Sequence, residues 1–173
     1  METVYLKGKE CHTMGTFPMI GDKACSFTLT TSTFHEIDLC DYRGRCVVLN
    51  IFPSLDTDVC AMSVRRFNEM ATTLDDVVVL CVSKDLPFAA SRFCVAEGIE
   101  NVEVVSAFRS LLFGRQYGVE LIDGTLAGLF ARGVVVIDGN RRVIYSQLVN
   151  EITEEPDYKK CYDAIKMIDS YGL

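Results

Sequence analysis

Asn50-Ile51-Phe52-Pro53-Ser54-Leu55-Asp56-Thr57-Asp58-Val59-Cys60 is the stretch that decides how this chain folds. It closes the near-continuous apolar run Cys46-Val47-Val48-Leu49-Asn50-Ile51-Phe52, the pattern of a strand buried on both faces. Pro53 stops that strand, and a polar loop follows. Beyond the loop, Cys60, Val64, Phe67, Ala71 and Leu74 repeat at i, i+4, i+7, i+11 and i+14, which predicts an amphipathic helix. Cys60 falls in its first turn, on the side that faces the core. Free backbone N–H groups and the positive end of the helix dipole stabilise a thiolate there. The competing reading is a buried structural cysteine, the usual fate of a cysteine on an apolar face.

Upstream, Val4-Tyr5-Leu6 and Cys11-His12-Thr13 flank Lys7-Gly8-Lys9-Glu10, the pattern of a small hairpin. Phe27 to Thr30 alternates like a short strand, and Leu39 to Gly44 reads as a connection. Downstream, Val77 to Val82 is a second buried strand. Pro87 opens a helix to about Glu97 with Gly98 as its stop, and Val102 to Val105 is a third strand. Ser110 to Tyr117 reads as a helix ended by Gly118. Gly133 to Ile137 and Arg142 to Leu148 form a hairpin about Asp138-Gly139-Asn140. Pro156-Asp157 introduces a closing helix with Tyr158, Cys161, Tyr162, Ile165 and Ile168 on its apolar side.

Two βαβ units followed by an antiparallel pair predict an α/β fold, a mixed central sheet flanked by helices. The order suits a thioredoxin-like fold with an N-terminal β-hairpin extension. A flavodoxin-like domain would share much of it, but no glycine-rich phosphate loop follows either early strand. A chain of 173 residues without repeats or linkers is expected to form one domain spanning 1–173.

The hydrophobic fraction of 49% and charged fraction of 24% are ordinary for a globular protein. With a net charge of −7 and no basic run, nucleic acid is not an expected partner. No apolar stretch approaches the roughly 18 residues of a membrane span, and the N-terminus lacks signal-peptide character, so a cytoplasmic location is expected. Eight cysteines are many for such a chain, yet they are widely scattered, without a C-x-x-C pair or metal-ligand spacing. We therefore expect no metal and no cofactor.

Cys94 follows Cys60 after 33 intervening residues, near the far end of its own helix. The two meet opposite ends of helix dipoles, so if they act as a pair Cys60 attacks first and Cys94 responds. Spacing alone does not show that their sulfurs meet.

The segment Pro53 to Cys60 resembles the P-x-x-x-T-x-x-C loop of peroxiredoxins. More narrowly, the chain is similar to the bacterial thiol peroxidase branch of atypical two-cysteine peroxiredoxins. That similarity is carried by Leu49 to Ser54, Ser63-Val64-Arg65, Ser91-Arg92-Phe93-Cys94, Ala96-Glu97-Gly98, Asp123-Gly124, Gly128-Leu129, Ala131-Arg132, Val134 to Asp138, and the tail from Ser146 to Tyr158. It implies Cys60 as the peroxidatic cysteine and Cys94 as the resolving cysteine of the same subunit. Thr57 and Arg132 would complete the site, with Pro53 shaping its wall. The Thr57 hydroxyl could donate to the sulfur, and its alternative is a helix N-cap. Arg132 supplies a permanent positive charge. The same resemblance implies hydroperoxide as substrate, a thioredoxin-type dithiol as reductant, and a homodimer. At Cys25, relatives usually carry proline.

The implied chemistry is attack of the Cys60 thiolate on a hydroperoxide, a sulfenic acid, and an intramolecular Cys60–Cys94 disulfide recycled by external dithiol. One alternative is a thioredoxin-fold sensor, oxidised once and then read by a partner. Another is a cysteine hydrolase using His12 or His35 as base, although neither histidine lies in a recognisable motif. Of the remaining cysteines, Cys46 and Cys81 are expected to be inert core, while Cys11, Cys25, Cys40 and Cys161 read as sufficiently exposed to oxidise, with no functional role assigned to them.

Overall fold

A computed structural model describes the backbone of residues 1–171 and the side chains of residues 1–167. Strands β1 (Thr3–Leu6) and β2 (Lys9–Met14) form the expected hairpin. Next come β3 (Thr28–Thr31), β4 (Glu36–Asp38) and β5 (Cys46–Ile51). The two βαβ units follow as α1 (Asp58–Ala71), β6 (Val77–Ser83), α2 (Pro87–Glu97) and β7 (Glu103–Ser106). The chain continues through α3 (Phe113–Gln116), β8 (Glu120–Leu121), β9 (Gly133–Ile137), β10 (Val143–Leu148) and α4 (Tyr158–Tyr171).

Seven strands form one mixed sheet in the order β10-β9-β5-β6-β7-β3-β4. Its centre, β5-β6-β7, is parallel, because a helix crosses between each pair, and the outer strands are antiparallel. Alternate side chains divide the core. Val47, Leu49 and Ile51 face Phe27, Phe113 and Tyr117 on one side. Val48 and Phe52 face the other, where α1, α2 and α4 pack with Cys60, Val64, Phe67, Ala90 and Ile165. Val64 and Phe67 lose all solvent contact, which stabilises the docking of α1 by about 1.5–3 kcal/mol each.

The βαβ core follows the sequence reading closely. Gly98 ends α2 in the left-handed region at φ 64°, its N–H returning to the Cys94 carbonyl. Departures fall outside that core. Leu39–Tyr42 is a 3-10 turn held by Asp38 and Asp41 rather than a plain connection. The segment expected to be helical from Ser110 to Tyr117 contributes only the single turn of α3, and Leu111 and Leu112 face solvent. The short strands β4 and β8 carry no periodic signal of their own, and β8 exists through its pairing with β2. Tyr158, Cys161, Tyr162 and Ile165 pack with the core as expected, while the side chain of Ile168 lies outside the described residues.

Candidate active site

The site forms where β5 and β9 meet. These strands are antiparallel neighbours, with Ile51 opposite Gly133. The chain leaving β5 therefore runs beside the chain entering β9. The first carries the loop to Cys60, and the second carries Arg132, one residue before β9.

Cys60 is the third residue of α1 and is fully buried. Thr57 caps the helix: its Oγ1 accepts from the Cys60 N–H at 3.4 Å and donates to the Ser54 carbonyl at 3.3 Å. In this conformation the Thr57 hydroxyl thus serves the backbone and does not donate to the sulfur. A second tie lies beneath the helix. The Asn50 amide donates to Ser63 Oγ at 3.1 Å, and Ser63 Oγ donates to the Cys60 carbonyl at 2.8 Å. Asn50 was a legible signal, since an amide inside a buried apolar strand must find partners.

Arg132 is only 1% exposed. Its Nε donates to the Ile152 carbonyl at 3.0 Å and its Nη2 to Cys60 Sγ at 3.3 Å, while Nη1 is buried without a hydrogen-bond partner among the described residues. Among the described residues, no carboxylate forms an ion pair with it. A buried guanidinium is costly unless paired, and the group it is aimed at is the Cys60 sulfur.

Pro53 is buried and lines a cavity of about 620 Å³ together with Thr57, Val59, Leu126, Arg132 and Ile152. Four of the five proposed residues therefore converge: Pro53, Thr57, Cys60 and Arg132. Cys94 belongs to the same apolar cluster as Cys60 but sits on α2, half-buried. Burial pushes its thiol upward in pKa, which keeps it protonated near neutral pH. Both cysteines are free thiols.

The remaining cysteines divide differently from the sequence expectation. Cys25 and Cys40 are exposed, but Cys11 and Cys161 are buried and Cys46 is half-buried. The first two of these sit on inward-facing positions of β2 and α4, which shields them from oxidants. Burial pushes Cys81 and Cys161 up to about 12. Of the two histidines named as candidate bases, His12 is engaged by Asp123 at 2.7 Å and Glu10 at 3.2 Å.

A family model described as Redoxin matches residues 19–162. The thiol peroxidase of Corynebacterium glutamicum is 52% identical over 165 residues, 95% of this chain and 99% of that one. The thiol peroxidase of Mycobacterium bovis is 50% identical over the same shares. A solved structure described as a peroxiredoxin-like protein from Aquifex aeolicus superimposes with a TM-score of 0.92 at 39% identity, covering 97% of this chain and 98% of that one. The chain belongs to the redoxin family, as a peroxiredoxin of the thiol peroxidase branch. It is an enzyme and its activity is that of a peroxidase, which sets aside the hydrolase reading and does not favour the sensor. Among the described residues, no helix is long and apolar enough to cross a membrane.

Proposed function

We propose that Cys60 is the peroxidatic cysteine, and that the single observation carrying this is the buried Arg132 Nη2 donating to its sulfur at 3.3 Å. Arg132, with no carboxylate ion pair among the described residues, is placed to stabilise the thiolate that the attack requires. Attack on the outer oxygen of a hydroperoxide breaks the O–O bond. The sulfur is oxidised to sulfenic acid, and the peroxide, gaining a proton, leaves as an alcohol or water. Arg132 Nη1 supplies a second donor for charge developing on the peroxide oxygens. Pro53 keeps one wall apolar, and Thr57 fixes the helix start beneath the sulfur.

Cys94 is the resolving partner. Its thiol displaces the hydroxyl of the Cys60 sulfenic acid, forming the disulfide and releasing water. An external dithiol of the thioredoxin type then exchanges with that disulfide and restores both thiols. Cys60 is fully buried in one helix and Cys94 half-buried in another. Disulfide formation therefore requires local unwinding around one or both, and hydrogen exchange that is identical in the two redox forms would exclude it.

We further infer that the whole chain acts as one domain and that two copies associate. Phe88 is 71% exposed, and its ring stacks edge-on against Phe34 at 4.9 Å, beside the exposed Leu86. An apolar cluster of this kind supports a homodimer contact.

The test is hydroperoxide consumption with a thioredoxin system, comparing the native protein with Cys60→Ser and Cys94→Ser. Cys60→Ser is expected to be inactive, and retained activity overturns the assignment. Cys94→Ser is expected to oxidise once without recycling, whereas sustained turnover would remove Cys94 from the resolving role.

A further inference from the structure

Asp85 lies outside the residues discussed so far, in the short link between β6 and α2. Its carboxylate crosses to the loop that carries Cys60. Oδ1 accepts from Ser54 Oγ at 2.8 Å, and Oδ2 accepts from the Leu55 backbone N–H at 2.7 Å. Oδ2 also accepts from Ser83 Oγ at 2.7 Å, and Ser83 Oγ in turn accepts the Asp85 N–H at 3.1 Å. The Asp85 carbonyl accepts from Ser106 Oγ at the end of β7. Ser54 Oγ additionally accepts the Asp56 N–H at 3.2 Å. One half-buried carboxylate thus ties the end of β6 to the loop before α1, while the backbone of the same residue holds the end of β7.

The position has a consequence for the reaction. Ser54 precedes Cys60 by six residues, and Asp85 precedes Cys94 by nine. Attack on peroxide needs the loop folded, so that α1 starts at Asp58 and Arg132 reaches the sulfur. Disulfide formation needs the opposite, because the two thiols sit in separate intact helices. Leu55, whose N–H is held by Asp85, is itself buried in the cluster around Cys60 and withdraws with the loop. Hydrogen bonds to a charged acceptor are the strong ones, and two of these tie the loop to the base of the resolving helix.

We propose that Asp85 is a positioning residue, a latch that sets the balance between the folded loop that attacks peroxide and the unwound loop that forms the disulfide. This rests on the assignment of Cys60 and Cys94 above. The latch acts on the two steps with opposite sign. It favours the first and restrains the second.

The experiment measures both steps separately by rapid-quench alkylation and mass spectrometry, a choice that suits a chain with no tryptophan. In Asp85→Asn, an amide nitrogen replaces one acceptor oxygen and faces a donor. The rate constant for Cys60 oxidation by excess hydroperoxide is expected to fall roughly tenfold, the size of lost hydrogen bonds to a charged group. Disulfide formation from the sulfenic acid is expected to become several-fold faster, and sulfinic acid at Cys60 to accumulate less at high peroxide. Ser54→Ala and Ser83→Ala each remove one bond to the carboxylate and are expected to shift both steps in the same directions by less, which keeps the proposal testable should Asp85→Asn fail to fold. A purely structural role would lower thermal stability and slow both steps or leave both unchanged, and either result overturns the latch. Activity retained in Cys60→Ser would instead overturn the underlying assignment, so the two failures are distinct.

Discussion

Arg132 reaches Cys60 through a 3.3 Å hydrogen bond from Nη2 to Sγ, in a place where neither side chain contacts solvent appreciably. The other terminal nitrogen, Nη1, has no hydrogen-bond partner among the described residues. A donor left unsatisfied in the interior costs about 1–3 kcal/mol. Arg132 also lines the cavity beside Pro53 and Thr57, so an oxygen bound there next to the sulfur would accept from Nη1.

Arg132→Met should lower the rate constant for Cys60 oxidation by roughly 100-fold or more, the usual effect of removing a donor aimed at developing charge. Arg132→Lys keeps the charge but loses the fork that serves Ile152 and Cys60 together, and should recover only part of the rate. Competition kinetics against a reference peroxidase read both. Equal rates in all three proteins would sink the proposed role of Arg132.

Thr57→Val removes the cap on α1 while keeping the shape of the side chain. It should cost about 1 kcal/mol of stability, seen as a lower urea midpoint, together with slower peroxide reduction. Thr57→Ser restores both hydrogen bonds and should behave like the native protein. If the valine variant matches native stability, the cap seen between Thr57 Oγ1 and the Cys60 N–H carries no weight.

Stability should also respond to pH through His12. Its hydrogen bond to Asp123 raises its pKa, and Glu10 adds to that. A raised folded value means the contribution is complete below the unfolded histidine value of about 6.5. It is lost as pH rises through the folded value. The urea midpoint of the native protein should therefore exceed that of His12→Gln at pH 5.5, with the gap narrowing by pH 9. A constant gap across that window would rule out the charge on His12 as its source.

Phe88→Glu places a charge on the exposed aromatic pair formed with Phe34. Sedimentation should show a monomer where the native protein sediments as a dimer. A native monomer, or a variant that still dimerises, would exclude this face as the contact.

How much of this was legible before any coordinates depends on how local the signal is. The α1 stripe through Cys60, Val64 and Phe67, the stop at Gly98 and the valine-rich strands are written in neighbouring residues, and they appear as read. The segment from Ser110 to Tyr117 reads as a helix, but Leu111 and Leu112 find no core to pack on and only the turn Phe113–Gln116 is helical. Strand β8 pairs with β2 across more than 100 residues, and two residues hold no period to detect. Within the site, the resemblance supplied Pro53, Thr57 and Arg132. Nothing in sequence spacing could bring Asp85 to Ser54, since that contact depends on two parallel strands ending at the same level.

That dependence on strand ends reaches Arg132 as well. Its place is fixed by the pairing of Ile51 with Gly133, inside the seven-stranded sheet. A slip of one residue in that pairing would turn Arg132 to the opposite face of the sheet. In the cycle proposed above, the Cys60 segment leaves and returns, while Arg132 stays tied to the strand that carries it. On that proposal Arg132 is the landmark against which the returning helix start regains its working geometry, by docking rather than by search.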